Sequence, residues 1–208
     1  MQRFLLFADQ VSTWVGKTFS WSILLLTAAT VYDVTARYAF NSPTEWAYDT
    51  EYILYGTLFI MAGAYALSRN GHVRGDVLYR LMPVRVQGGL DLVLFIIFFF
   101  PGILALLYSG IDFARMSILV NEHSSSSPGG PPIFPFKVLI PVAAAFLVLQ
   151  GIAETIRAFI ALRTGQWPQR LHDVEEMEKQ ILEEAQEGIQ GEQILADIKA
   201  GRRAGVVK

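Results

Sequence analysis

Four long apolar stretches, separated by short polar segments, organise this chain. They run from about Thr18 to Phe40, Tyr48 to Ser68, Leu90 to Ile111 and Lys137 to Ile160. Each is apolar all round rather than along one stripe, unlike a helix on the surface of a soluble domain. A bilayer core about 30 Å thick takes roughly 20 mostly apolar residues per helix. The pattern predicts an all-α membrane protein with four transmembrane helices. The third stretch is the plainest, because Leu92 to Ile111 holds no charge.

Two segments flank this domain of residues 18–165. Residues 1–17 read as an amphipathic lead-in helix on the membrane surface. Phe4, Leu5, Ala8, Val11 and Val15 recur at helical spacing, and Trp14 suits the headgroup layer. Met1 to Phe7 is too short for a signal-peptide core, and no small-residue cleavage motif precedes the first span, so this segment is expected to be retained. Residues 166–208 form an acidic tail. Leu171, Val174, Met177, Ile181, Leu182 and Ala185 mark one helical face among Asp173, Glu175, Glu176, Glu178, Glu183 and Glu184, which predicts a cytoplasmic acidic helix. Gly188, Gly191, Gly201 and Gly205 predict that order fades beyond it.

Loop charge sets the orientation, since Lys and Arg accumulate on the cytoplasmic side. Arg69, Arg74, Arg80 and Arg85 lie between the second and third stretches, Arg157, Arg163 and Arg170 near or after the fourth, and Arg3 and Lys17 before the first. The first loop, Asn41 to Trp46, has no Lys or Arg, and the third, about Asp112 to Phe136, has only Arg115. Both termini and the middle loop are therefore expected inside, with the first and third loops outside. The run Glu122-His123-Ser124-Ser125-Ser126-Ser127-Pro128-Gly129-Gly130-Pro131-Pro132 excludes a continuous helix. It is either an ordered turn-rich loop or a flexible one.

Composition agrees: 52% of residues are hydrophobic and 17% charged, against roughly 25% charged in soluble domains. The net charge is −2 and there is no basic stripe, so no nucleic-acid partner is expected. Cysteine is absent, which excludes disulfides, thiolate nucleophiles and cysteine-ligated metal. His72, His123 and His172 all lie outside the apolar stretches, where they cannot serve as axial haem ligands in a membrane bundle. No HExxH or GxSxG element is present. No enzyme chemistry and no cofactor are expected.

The informative charges lie near span ends. Asp33 and Arg37 share a helix face at four-residue spacing and can pair. Glu45 and Asp49 stand likewise at the start of the second stretch, with Glu51 nearby, and Glu154 and Arg157 are three apart near the end of the fourth. These are expected to be structural pairs or partner contacts, because an ion-coupling site belongs near the midplane among broken helices. Pro101 and Pro141 are read as lying near span starts, where proline is tolerated. Gly56, Ala62, Gly63 and Ala66 in the second stretch, and Gly102, Ala105 and Ser109 in the third, are small residues that let helices approach closely.

A resemblance emerges from the order of these elements. Trp46 with Glu45, Asp49 and Glu51 is followed by Ala62-Gly63-Ala64-Tyr65-Ala66-Leu67, then Gly71-His72-Val73-Arg74-Gly75-Asp76, then Pro83. The fourth stretch adds Lys137, Pro141 and Leu149-Gln150-Gly151. Over roughly residues 15–165 the chain resembles the small membrane subunit of TRAP transporters, the DctQ type. In many relatives paired acids follow the tryptophan almost at once; here they are spread over Asp49 and Glu51, and the acidic tail is longer than usual. The resemblance implies a bacterial inner-membrane, three-part importer. A periplasmic binding protein captures a solute, often an organic acid, and a large permease subunit moves it on a sodium gradient. The small subunit packs beside the permease as a scaffold in the lipid bilayer. Asp33, Arg37, Glu45, Trp46, Asp49, Glu51, Gly63, His72, Arg74, Asp76, Gln150 and Glu154 are then candidate interface or structural residues. A second reading stays open: an autonomous homo-oligomeric channel or exporter, with Gln150, Glu154 and Thr155 as its thin polar stripe.

Overall fold

The computed structural model describes residues 2–69, 79, 81–127, 130–171 and 173. Two compact units divide the chain, Met1–Pro168 and Gln169–Lys208. In the second unit the Arg170 N–H donates to Asp173 Oδ2 at 2.9 Å. The rest of the expected acidic helix, from residue 174 onward, and His172 lie outside the described residues.

The first unit is helical: α1 (Gln2–Ser20), α2 (Ser22–Ala39), α3 (Ala47–Ser68), α4 (Val84–Leu94), a π-helical turn (Phe95–Phe99), α5 (Phe100–Leu119) and α6 (Phe134–Thr164). Helix α6 is the hub, packing against α1, α3, α4 and α5, while α2 leans on α3. Among the described residues, three continuous stretches are long and apolar enough to cross a membrane: Gln2–Ala39, Val84–Leu119 and Phe134–Thr164. Helix α3 is not among them, because Asp49, Glu51 and its tyrosines dilute an otherwise apolar run.

Several expected boundaries move. Helix α1 runs past residue 17 to Ser20 and continues through Trp21, itself right-handed helical, into α2. Leu5, Ala8 and Val15 of its repeat are buried against other helices, while Phe4 and Trp14 are exposed. Pro101, the second residue of α5, lies midway along the continuous stretch Val84–Leu119, and Pro141 lies inside α6. The reason is that helix continues well beyond the apolar runs, starting at Val84 and Phe134. Pro101 cannot donate to the carbonyl of residue 97, and its ring crowds that turn. The π-helical turn at Phe95–Phe99 lies immediately before it, where a wider turn relieves the crowding.

Glycines set two of the close approaches. A Cβ on Gly88 would stand 2.7 Å from the Ala158 carbonyl oxygen and 2.8 Å from the Leu162 nitrogen, so α4 and α6 touch backbone to backbone. A Cβ on Gly151 would stand 2.3 Å from the Phe99 ring, so this glycine houses a side chain of the π-helical turn. Gly102, by contrast, faces open space and packs against no neighbour.

Candidate functional site

One polar cluster ties α1 to α6. Both helices present charged groups to each other: Asp9 and Ser12 from α1, and Gln150, Glu154 and Arg157 from α6, all buried. Arg157 is 0% exposed. Its Nη2 donates to Asp9 Oδ2 at 2.6 Å and its Nη1 to Asp9 Oδ1 at 3.0 Å, a two-pronged grip on one carboxylate. The same Nη1 donates to Glu154 Oε1 at 2.6 Å. Gln150 Nε2 donates to Asp9 Oδ1 at 2.9 Å and to Glu154 Oε1 at 3.2 Å, while its Oε1 accepts from Ser12 Oγ at 2.9 Å. A guanidinium between two carboxylates offsets the desolvation that either carboxylate would suffer alone.

The expected pairing of Glu154 with Arg157 is present, and Gln150 belongs to the same network. Asp9 and Ser12 were not expected. Their signal was available: positions 5, 8, 9, 12 and 15 share one helical stripe, and a carboxylate inside an apolar stripe needs a buried partner. Gln150 and Glu154, the residues of the thin polar stripe, are engaged in this network, and Thr155 Oγ1 donates to the Gly151 carbonyl.

A second set of contacts lies where α2 ends and α3 and α6 begin. Asp33 Oδ1 accepts from the Thr44 hydroxyl at 2.5 Å and the Thr44 N–H at 3.2 Å, and Asp33 Oδ2 accepts from Arg37 at 2.8 Å. The expected Asp33–Arg37 pair thus also closes the α2–α3 loop. Asp49, in the first turn of α3, is buried and accepts from Ser124 Oγ at 2.5 Å and from Ser127 Oγ. Glu45 is exposed and takes no part. Trp46 stands at the start of α3, with no side-chain capping bond, and stacks on Tyr32 with ring centroids 5.7 Å apart.

Those serines belong to the loop between α5 and α6, which is ordered where described. Asn121 turns the chain out of α5 at a φ of 46°. His123 pairs with Pro132 in a bridge, the Ser124 N–H donates to the Pro131 carbonyl at 3.0 Å, and the Ile133 N–H donates to the Glu122 carbonyl at 3.0 Å. The Gly130 carbonyl accepts from His123 Nδ1 at 2.8 Å. Lys137 Nζ lies 2.5 Å from Glu122 Oε2, and this hydrogen bond holds the Glu122 carboxyl below its ordinary value.

At the other end of α4, Gln87 Nε2 donates to the Tyr79 and Met82 carbonyls, and its Oε1 accepts from Trp167 Nε1 at 3.2 Å. Asp91, also unexpected, accepts from the Tyr79 hydroxyl at 2.9 Å. A Cβ on Gly63 would stand 3.5 Å from Leu147, an ordinary contact. Glu51 is half-buried in a shallow, open hollow beside Leu26, Tyr48, Tyr52 and Tyr55. His72, Arg74 and Asp76 lie outside the described residues. Among the described residues, no group of three or more His, Cys, Asp or Glu converges as a metal site.

Residues 26–161 match a family described as tripartite ATP-independent periplasmic transporters, DctQ component. No curated protein matches the chain.

Proposed function

The chain belongs to the DctQ family of tripartite ATP-independent periplasmic transporter components, the TRAP transporter small membrane subunit, and from that premise we propose that it scaffolds a sodium-coupled importer. The partners are a large transmembrane permease subunit, which carries the solute and sodium, and a periplasmic binding protein. The cargo is a small organic solute, an organic acid by resemblance to the family. The chain resides in a bacterial inner membrane with four spans and both termini inside. Helix α3, 22 residues long, crosses as the second span despite its acidic first turns. At 1.5 Å per residue it measures about 33 Å, enough for the hydrocarbon core.

The family match carries this reading. The disposition of buried charge supports it. Asp9, Glu154 and Arg157 tie helix to helix, and Asp33 and Asp49 tie loops to helices. Such groups hold a rigid bundle rather than bind and release an ion. Affinity purification from native membranes in mild detergent tests the proposal. A large multi-span protein should co-elute in stoichiometric amount, and the purified chain alone in liposomes should show no sodium-driven uptake. Recovery as a homo-oligomer with transport activity of its own would overturn the scaffold reading in favour of a channel or exporter.

A further inference from the structure

Resting on that reading, we infer that the face formed by α2 and α3 around Glu51 receives a transmembrane helix of the large permease subunit, whose Lys or Arg pairs with this carboxylate. Among the described residues, nothing donates a hydrogen bond or an ion pair to Glu51. It is half-buried in a shallow, open hollow of about 330 Å³ beside Leu26, Tyr48, Tyr52 and Tyr55. Every other buried or half-buried carboxylate among the described residues of the bundle, Asp9, Asp33, Asp49, Asp91, Glu122 and Glu154, has a partner within the chain. A half-buried carboxylate in the second turn of a membrane helix is disfavoured unless it meets a cation or a donor, though less steeply near the span end than at its centre.

On α3 the surface around it is rich in aromatic side chains, which are enriched at the buried cores of protein interfaces. Tyr48, Tyr52, Tyr55 and Phe59 follow one stripe of α3 at helical spacing, and all four are exposed. Tyr55 and Phe59 stack with centroids 6.3 Å apart. The face of α4, the π-helical turn and α5 is more aliphatic, exposing Leu90, Val93, Ile96, Ile97, Leu104 and Leu106 alongside Phe98, Tyr108 and Phe113. Those aliphatic side chains suit lipid tails. Aromatic belts also occur in membrane proteins, but at headgroup level. The stripe from Tyr48 to Phe59 extends about 16 Å along the helix axis, more than half of a core about 30 Å thick. Tyrosine and arginine are enriched at protein interfaces. A guanidinium entering this hollow would pair with Glu51 and stack on the neighbouring rings.

Site-specific photo-crosslinking in the intact complex tests the assignment. The photoreactive residue p-benzoylphenylalanine replaces Tyr55 in one variant and Ile97 in another. Position 55 should cross-link to the large subunit at least tenfold more than position 97. Separately, Glu51→Arg should reduce co-purified large subunit at least fivefold, with this chain still inserted at its normal level. An acidic residue replacing one Lys or Arg in the partner's spans should restore it. Equal yields at both positions, cross-links to lipid or to a second copy, or undiminished co-purification of Glu51→Arg would overturn this face while leaving the scaffold proposal intact. Failure of any large subunit to co-purify with the unaltered chain would remove both.

Discussion

Arg157 is the cation on which the contact of α1 with α6 depends, because it reaches Asp9 and Glu154 together. Removing one partner of a buried ion pair leaves charge without compensation and costs about 3–5 kcal/mol, whereas replacing the whole set with apolar groups is often neutral. Arg157→Met should therefore destabilise the bundle by about that amount in denaturant unfolding from detergent, and the triple variant Asp9→Leu, Glu154→Leu, Arg157→Met should recover most of the loss. A triple variant no more stable than Arg157→Met would show that the ion pairs are needed as such. Steric limits give a second contrast. Gly88→Ala pushes a methyl into the backbone of α6 and should cost about 1–3 kcal/mol. Gly102→Ala meets open space and should gain up to about 1 kcal/mol from helix propensity; equal effects at the two sites would contradict the packing described. Only part of this was readable from sequence. Glu154 and Arg157 announce themselves by their spacing on one helix, but Asp9 lies 148 positions from Arg157, and local spacing says nothing about which helix will arrive opposite.

At the scale of elements, the loop between α5 and α6 shows why order in a Gly-, Pro- and Ser-rich run is hard to foresee. Its fixed points are distant in sequence: Asp49 accepts from Ser124 across 75 positions, and Lys137 reaches back to Glu122. Asp49→Ala should free both serines and raise amide exchange across residues 120–127 at least tenfold, with exchange in α6 unchanged. Unaltered exchange in the loop would mean that its own turn hydrogen bonds suffice. The Glu122 latch carries a pH dependence of definite sign. Its carboxyl titrates below the ordinary 4.5 when the loop is closed, chiefly through the Lys137 hydrogen bond. The closed loop is therefore favoured above about 4.5, and that contribution is lost as pH falls through the lowered value. Loop exchange, corrected for intrinsic rates, should rise as pH drops below about 4.5 in the native chain and stay level in Glu122→Gln. The helices were legible as apolar runs, but their ends were not. Val84 and Phe134 begin helices several residues before the hydrophobic pattern does, because proline caps and tertiary contacts, not hydropathy, decide where winding starts.

For the whole molecule, the number of crossings decides where everything else stands. Three stretches qualify as spans by length and apolar character, and α3 falls outside that set. An odd number of crossings would put the two ends on opposite sides of the membrane, and an even number puts them together. Charge distribution favours the even number, since the loops before α3 and after α5 are nearly free of Lys and Arg while the middle loop carries four arginines. The packing of α3 against α1, α2 and α6 gives it the neighbours that make an acidic first turn tolerable in a membrane. Cysteine is absent from the chain, so single cysteines can report the answer against no background. With a membrane-impermeant maleimide added outside inner-membrane spheroplasts, Ser42→Cys and Ser126→Cys should label, whereas Leu81→Cys and Gln169→Cys should label only after the membrane is opened. If α3 did not cross, position 81 would share the side of position 42, and positions 126 and 169 would each lie on the side opposite to the one expected. Labelling of Leu81→Cys from outside would therefore remove α3 as a span and, with it, the placing of Glu51 on a membrane-embedded face.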